Sequence, residues 1–223
     1  MYDQKLKDEF SKSLRLFQKD ECLRIIKNAV ESKEIDIIPL YTEILAPSLM
    51  SIAGNESKQE IGVWAEHIQS SIVRTIIESV YACYISPTIK TEQKKPKTVI
   101  FCPEEEYHEL GARMASDFLT LLGFDAYFIG ANTPAKEAIH AIQTIKPILV
   151  TISVTNFFHL AHLNTLIEAL RSNYHESFSI AVGGYAVDHS PHAKEKIHAD
   201  FFAHSFEDLA AIKEVLLPHA TSL

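Results

Sequence analysis

Cys102-Pro-Glu-Glu-Glu-Tyr-His-Glu-Leu-Gly-Ala-Arg-Met114 separates two kinds of apolar pattern. Ahead of it, Thr98-Val-Ile-Phe-Cys102 is a short continuous apolar run with strand character. Behind it, Leu110, Met114, Phe118 and Leu121 recur at helical spacing, which predicts a helix over about 109–122. His108 therefore lies on a loop leaving the carboxyl end of a strand, just before a helix. That is where open α/β sheets bind ligands. Glu106 stands two residues before His108, close enough to hold one ring nitrogen and leave the other for a metal. Gly111 leaves room for a bulky group near the first helical turn. The competing reading of this stretch alone is a solvated histidine in an acidic loop.

The rest of the second half supports an α/β reading. Strands are expected near 98–102, 125–129, 147–153, 178–182 and 200–203, and helices near 109–122, 134–145, 159–173, 191–197 and 206–217. Asn132-Thr-Pro-Ala reads as a helix start with Pro134 in the first turn. Ile148-Leu-Val-Thr-Ile-Ser153 reads as a strand buried on both faces. The pattern predicts a doubly wound five-strand parallel sheet, Rossmann-like or flavodoxin-like, with right-handed crossovers. Ser153 and Thr155 then fall just past the third strand, and Gly183-Gly184-Tyr185 just past the fourth. A glycine pair there allows close backbone approach. Each feature alone is ordinary turn chemistry. Their order along a single sheet edge points to a site. Pro103 to Gly111 contains no G-x-G-x-x-G, so a dinucleotide fingerprint is excluded.

The first half reads as helix. Phe10, Leu14 and Phe17 form one stripe. Asp20 reads as the N-cap of a helix over 21–32 carrying Leu23, Ile26 and Val30. A third segment over 36–53 has Pro39 near its first turn and is broken by Gly54-Asn55. A fourth runs from about 60 to 85. A four-helix bundle is the expected assembly. On the fourth helix Trp64, His67 and Ser71 share a face, with Arg74 one turn further and Glu66 and Ser70 at its flanks. The alternative is a polar outer face with Trp64 in the bundle core. The expected organisation is thus a helical cap domain over 1–86, a polar, proline-bounded linker over 87–97 and an α/β domain over 98–223.

Composition narrows the function classes. The 223 residues are 47% hydrophobic and carry a net charge of −8, which disfavours direct nucleic-acid binding. Three cysteines with no close pair form neither a disulfide framework nor a zinc motif and fit a reducing cytoplasm. No stretch approaches the ~20 apolar residues of a membrane span, and the N-terminus lacks a signal-peptide core. No nucleophile–base pair or paired-carboxylate site marks the chain as an enzyme. The eleven histidines include His159, His162, His175, His189, His192, His198 and His204, none at ligand spacing.

Glu106-x-His108-x-x-Gly111, Ser153-x-Thr155 and Gly183-Gly184 together resemble the cobalamin (B12)-binding domain family, whose general form is D-x-H-x-x-G, S-x-L and G-G. The resemblance covers about 97–218, and the helical half is similar to the family's four-helix cap. It implies that His108 is the lower axial ligand of cobalt and that Glu106 orients it. It also implies that Ser153, Thr155, Gly183, Gly184 and the adjoining Tyr185 line the slot for the displaced nucleotide tail. Thr155 stands where leucine is usual, and Glu106 where aspartate is common.

Glu106-Tyr-His108-Glu109-Leu-Gly111 is most similar to the light-sensing subgroup, often fused to a MerR-type DNA-binding domain. By that resemblance Glu66 contacts an adenosyl upper ligand and His67 sits over the corrin. That subgroup's cap tryptophan has no counterpart in Asn55-Glu56-Ser57. Trp64, one turn before His67, is the candidate to cover the upper face instead. No DNA-binding domain is expected ahead of the bundle.

The implied function is a cytoplasmic cobalamin-binding sensory protein. It would be light-responsive through adenosylcobalamin (methyl- or hydroxocobalamin being the other forms) and would signal to a separate partner protein. A homo-oligomer is compatible. The alternative is a corrinoid methyl-carrier subunit of a methyltransferase system.

Overall fold

The computed structural model describes residues 4–56, 62–89 and 95–218, the side chains of 53–56 excepted. The chain forms two compact units, Met1–Pro87 and Thr88–Leu223. Ser57 and residues 90–94 of the expected linker lie outside the described residues.

The first unit is helical. Helices α1 (Gln4–Arg15) and α2 (Lys19–Glu31) form a hairpin. Its turn runs through Phe17, at φ 57°, whose N–H bonds the Leu14 carbonyl while that of Gln18 bonds Ser13. Asp20 is not the N-cap of α2. Gln18 takes that position, and Asp20 sits in the first turn, where a carboxylate complements the helix dipole. The third segment is continuous but irregular: α3 (Ile37–Pro39), a π turn (Leu40–Leu45) and α4 (Ala46–Glu56). Gly54-Asn55 does not break it, because α4 continues to Glu56. Pro47, which has no N–H to give the ladder, follows the π turn. Helix α5 (Val63–Val80) packs against α1, α2 and α4 and ends in a π turn (Tyr81–Ile85). Its inward residues are Ala65, Gln69, Ile72, Val73, Ile76, Ile77 and Val80.

The second unit is a parallel five-strand sheet of order β2-β1-β3-β4-β5. The strands are β1 (Lys97–Pro103), β2 (Asp125–Thr133), β3 (Leu149–Ser153), β4 (Ser179–Gly183) and β5 (Phe201–Phe202). Helices α6 (Leu110–Leu121), α7 (Ala135–Ile145), α8 (Leu160–Asn173) and α11 (Phe206–Leu216) lie between and after them, with two short helices, α9 (Tyr185–Asp188) and α10 (Ala193–Lys196), between β4 and β5. The expected strands and long helices are present. The short α9 has no periodic signal of its own.

One sheet face, through Val99, Phe101, Val150, Ile152, Ile180 and Val182, packs on Ala138 and Ile142 of α7 and on Leu163, Ile167 and Leu170 of α8. Alternation of side chains along the strands turns Ile100 and Cys102 to the other face, and α6 packs on β1, β2 and β3. Phe118 of α6 meets Phe206 of α11 edge-on at 5.4 Å. Strand order reverses direction between β1 and β3, the switch point at which doubly wound sheets open a crevice.

The carboxyl ends of β3 and β4 are closed by backbone. Ser153 is paired in register with Gly183, and the Val154 N–H bonds the Gly183 carbonyl at 2.9 Å. A Cβ on Gly183 would lie 2.2 Å from the Ala203 carbonyl oxygen. Gly184 has φ 103°, and a Cβ there would lie 2.6 Å from the Val154 oxygen. The backbone that approaches this glycine pair is the protein's own. Gly111 is the opposite case, with nothing within 4 Å of an added Cβ.

Gly183→Ala should therefore destabilise the α/β unit by an amount at the upper end of about 1–3 kcal/mol. Gly111→Ala should be neutral or stabilising by up to about 1 kcal/mol, since it improves helix propensity without a clash. Urea unfolding followed by amide exchange of β3 and β4 reads this difference directly. Fluorescence would not, because the sole tryptophan, Trp64, lies in the helical unit.

Candidate functional site

The His108 loop is built around Glu106. Of the three consecutive acidic residues Glu104, Glu105 and Glu106, only Glu106 is buried, at 1% exposure. Its Oε1 accepts the backbone N–H of His108 at 3.0 Å and lies 2.7 Å from His108 Nδ1. Its Oε2 accepts the N–H groups of Thr155 at 2.9 Å and Asn156 at 2.7 Å. A single carboxylate thus bridges the loop after β1 to the end of β3, across the switch point. Burial alone would raise its pKa. The hydrogen bonds from His108, Asn156 and Thr155 outweigh that and hold it at about 2.

An ionised carboxylate makes Nδ1 of His108 the protonated nitrogen and Nε2 the lone-pair nitrogen. The imidazole is 58% exposed, so an incoming group can reach it. Cys102, beneath the loop, is buried, with Sγ 3.8 Å from the His108 carbonyl oxygen. Burial, then the charges of Glu106 and Glu109, push its thiol up to about 12, so it is no nucleophile.

The end of β2 supports the loop from the other side. The Asn132 N–H bonds the Glu106 carbonyl at 2.9 Å, and Asn132 Oδ1 accepts the Glu105 N–H at 2.8 Å. Glu109 accepts the Ala131 N–H at 2.9 Å. The sequence reading missed all three contacts and took Asn132 for a helix start. The N-cap of α7 is Pro134, and the helix begins one residue later than expected. Asn156 was also missed. Its backbone donates to Glu106, and its Oδ1 accepts the Phe158 N–H at 3.0 Å.

The predicted residues divide into groups. Glu106, His108 and the Thr155 backbone meet at one point. Ser153, Gly183 and Gly184 are adjacent at the ends of β3 and β4. Tyr185 opens α9, stacks on His189 at 3.9 Å and meets Phe157 edge-on at 6.1 Å. Gly111 lies in the first turn of α6, beside open space. In the helical unit Trp64 is 62% exposed, which removes it from the bundle core, and its ring lies 5.6 Å from that of Phe17. His67, Ser71 and Arg74 are exposed beside it, and Glu66 is half-buried.

Among the described residues no group of three or more His, Cys, Asp or Glu is arranged to hold a metal ion, and no helix is long and apolar enough to cross a membrane. A lone, carboxylate-oriented imidazole at an open sheet edge suits a metal whose other positions are filled by a prosthetic group. The fold and the site therefore define a Rossmann-like domain equipped to present one histidine to such a group.

The comparisons agree with that class. The "B12 binding domain" family profile matches residues 96–212, and the chain belongs to that family. It is 26% identical over 215 residues to the HTH-type transcriptional repressor CarA of Myxococcus xanthus, spanning 94% of this chain and 68% of CarA. It is 25% identical over 146 residues to the repressor CarH of the same organism, spanning 66% of this chain and 47% of CarH. The monomethylamine corrinoid protein of Methanosarcina barkeri shares the fold, with TM-score 0.78 and 16% identity over 94% of this chain and 97% of that one. The methanol:cobalamin methyltransferase complex MtaBC of the same organism aligns with TM-score 0.52 and 18% identity over 98% of this chain and 81% of that one.

The depressed Glu106 pKa sets a pH dependence. Its drop from an ordinary 4.5 to about 2 corresponds to about 3 kcal/mol of stability. The sign follows from a folded-state value below the unfolded one. The contribution is complete above 4.5 and is lost as the pH falls towards 2. Denaturant unfolding of the wild type should weaken through that window, and Glu106→Gln should flatten this part of the profile while being less stable at neutral pH.

Proposed function

We propose that this protein binds cobalamin with His108 as the lower axial ligand and serves as a sensory or regulatory protein, not as an enzyme. The observation that carries the lower-ligand reading is the 2.7 Å contact between His108 Nδ1 and a buried, ionised Glu106. It leaves Nε2 as the ligating atom of an exposed ring. The open space beside Gly111 accords with approach of a macrocycle. Ser153, Thr155, Gly183, Gly184 and Tyr185 are assigned to the nucleotide tail.

When bound, cobalamin supplies a cobalt–carbon bond that light can break. The chain's own part is to fix the tautomer of His108 and to keep its ring in place through Glu106. Trp64, Glu66 and His67 of α5 are assigned to the cofactor by the family resemblance, with adenosylcobalamin as the favoured form. Loss of the upper ligand then shifts the population between two arrangements that a separate partner protein reads. The sensory reading is supported by the similarity to the repressor CarA, which extends over 215 residues and so includes the helical unit.

His108→Ala should shift the spectrum of the reconstituted protein towards the base-off form and weaken binding about 10–100-fold. Illumination of the adenosylcobalamin-loaded wild type with blue or green light should change its corrinoid spectrum. A light-inert spectrum together with methyl transfer to free cobalamin in the presence of a methyltransferase would replace the sensory role with that of a methyl carrier.

A further inference from the structure

Edge strand β2 is irregular where it passes the His108 loop. Its register with β1 runs Ile100 to Phe128, then Phe101 to Gly130, then Pro103 to Thr133, so β2 gains an extra residue at each of two steps. The residues with positive φ there are Gly130, at 119°, and Asn132, at 48°. Such bulges re-aim side chains and N–H groups next to functional sites. Here they bring both polar ends of Asn132 to the loop. Its N–H bonds the Glu106 carbonyl at 2.9 Å, and its Oδ1 accepts the N–H of Glu105 at 2.8 Å.

Glu105 needs that acceptor. It has φ 65°, a left-handed conformation that non-glycine residues adopt rarely and asparagine tolerates better than glutamate. Glu105 is also where the chain turns out of β1: the Glu106 N–H bonds back to Pro103 at 3.0 Å. The conformation at Glu105 therefore decides whether the Glu106 carboxylate points inward beneath Thr155 and Asn156 and meets His108 Nδ1.

We infer that Asn132, at the end of β2, is a positioning residue for His108: its side-chain oxygen pins Glu105 in a left-handed turn and so aims the Glu106 carboxylate that orients the imidazole. Asn132 acts on the imidazole through Glu105 and Glu106. The inference rests on the lower-ligand reading for its cobalt readout alone.

Three variants separate the contributions. Asn132→Asp keeps an oxygen acceptor and tolerates positive φ. Asn132→Gly keeps the backbone conformation and N–H but removes the acceptor. Asn132→Ala removes the acceptor and disfavours the conformation. The first readout is nitrogen NMR of the His108 ring in the full chain without cofactor, at mildly alkaline pH, with the signal assigned by its loss in His108→Gln. Wild type and Asn132→Asp should show a single tautomer protonated at Nδ1, whereas Asn132→Gly and Asn132→Ala should show an average of two, with circular dichroism unchanged.

The second readout is the nitrogen splitting in the EPR spectrum of bound cob(II)alamin that changes on isotopic nitrogen labelling of the protein's histidines, which sets the His108 ring apart from the cofactor's own benzimidazole. It should be present in wild type and Asn132→Asp and lost in Asn132→Gly, with binding weakened about tenfold. An unchanged tautomer in Asn132→Gly, or a scrambled one in Asn132→Asp, overturns the inference. A wild type without nitrogen splitting overturns the lower-ligand reading instead, and the tautomer result still decides the role of Asn132.

Discussion

A buried carboxylate at a sheet's switch point is an expensive feature unless every lone pair is used. Glu106 uses both oxygens. Four N–H groups converge on it, three from the backbone of His108, Thr155 and Asn156 and one from the His108 ring. The backbone donors of Thr155 and Asn156 leave a strand end with no strand ahead of them. Without the carboxylate these part-buried donors would lose their protein partner and turn to water. Glu106 therefore closes the end of β3 and aims the histidine in one act. Structural and functional demands on this residue cannot be separated by deleting it. Residues that reach the imidazole through it, on β2, are where the two can be told apart.

The glycines make a related point about what small residues are for. Gly183 and Gly184 have protein backbone packed where a Cβ would go, so their absence of a side chain serves the closure of β4 against Val154 and Ala203. Gly111 has open space there, so nothing in the folded chain itself excludes a larger residue. Packing within the chain does not account for this glycine in the first turn of a helix, where propensity favours other residues. Gly111 and the Gly183-Gly184 pair, both read from sequence as room for close approach, thus differ in what surrounds them.

Much of the architecture was legible because it depends on short-range periodicity. Apolar runs of strand length alternating with helical stripes define the five strands and their long helices, and strand order follows from parallel crossovers. The Glu106–His108 pair was legible for the same reason, being separated by two residues. What escaped was non-local. The partners of Glu106 just past β3 lie 49 and 50 residues away, and the partner of Asn132 Oδ1 lies 27 away. Asn132-Thr-Pro obeys a good local rule for starting a helix, but the asparagine is drawn to the Glu105 N–H across the sheet edge instead. Gly54-Asn55 failed as a helix stop since breaker residues act only as a bias that the continuing helix overrides. Trp64 was divided between core and surface because an amphipathic pattern does not say which side of a mixed face is wet. Its 62% exposure decides that question.

On the proposed reading, sensor and methyl carrier would draw on the same features of the α/β unit: a carboxylate-held histidine, open space beside Gly111 and the glycine pair after β4. The α/β unit is therefore neutral between them, and so is a fold match to corrinoid proteins at 16% or 18% identity. What would tell the two apart lies outside that unit, and α5 carries the residues assigned to it in the proposal. That helix buries Ala65, Gln69, Ile72 and Val73 while Trp64, His67, Ser71 and Arg74 remain exposed. Trp64 is not bare there, since its ring lies 5.6 Å from that of Phe17. The family profile begins at residue 96, whereas similarity to CarA spans 94% of the chain. The fold match to the monomethylamine corrinoid protein also spans 94% of the chain, so both kinds of relative extend over the helical unit.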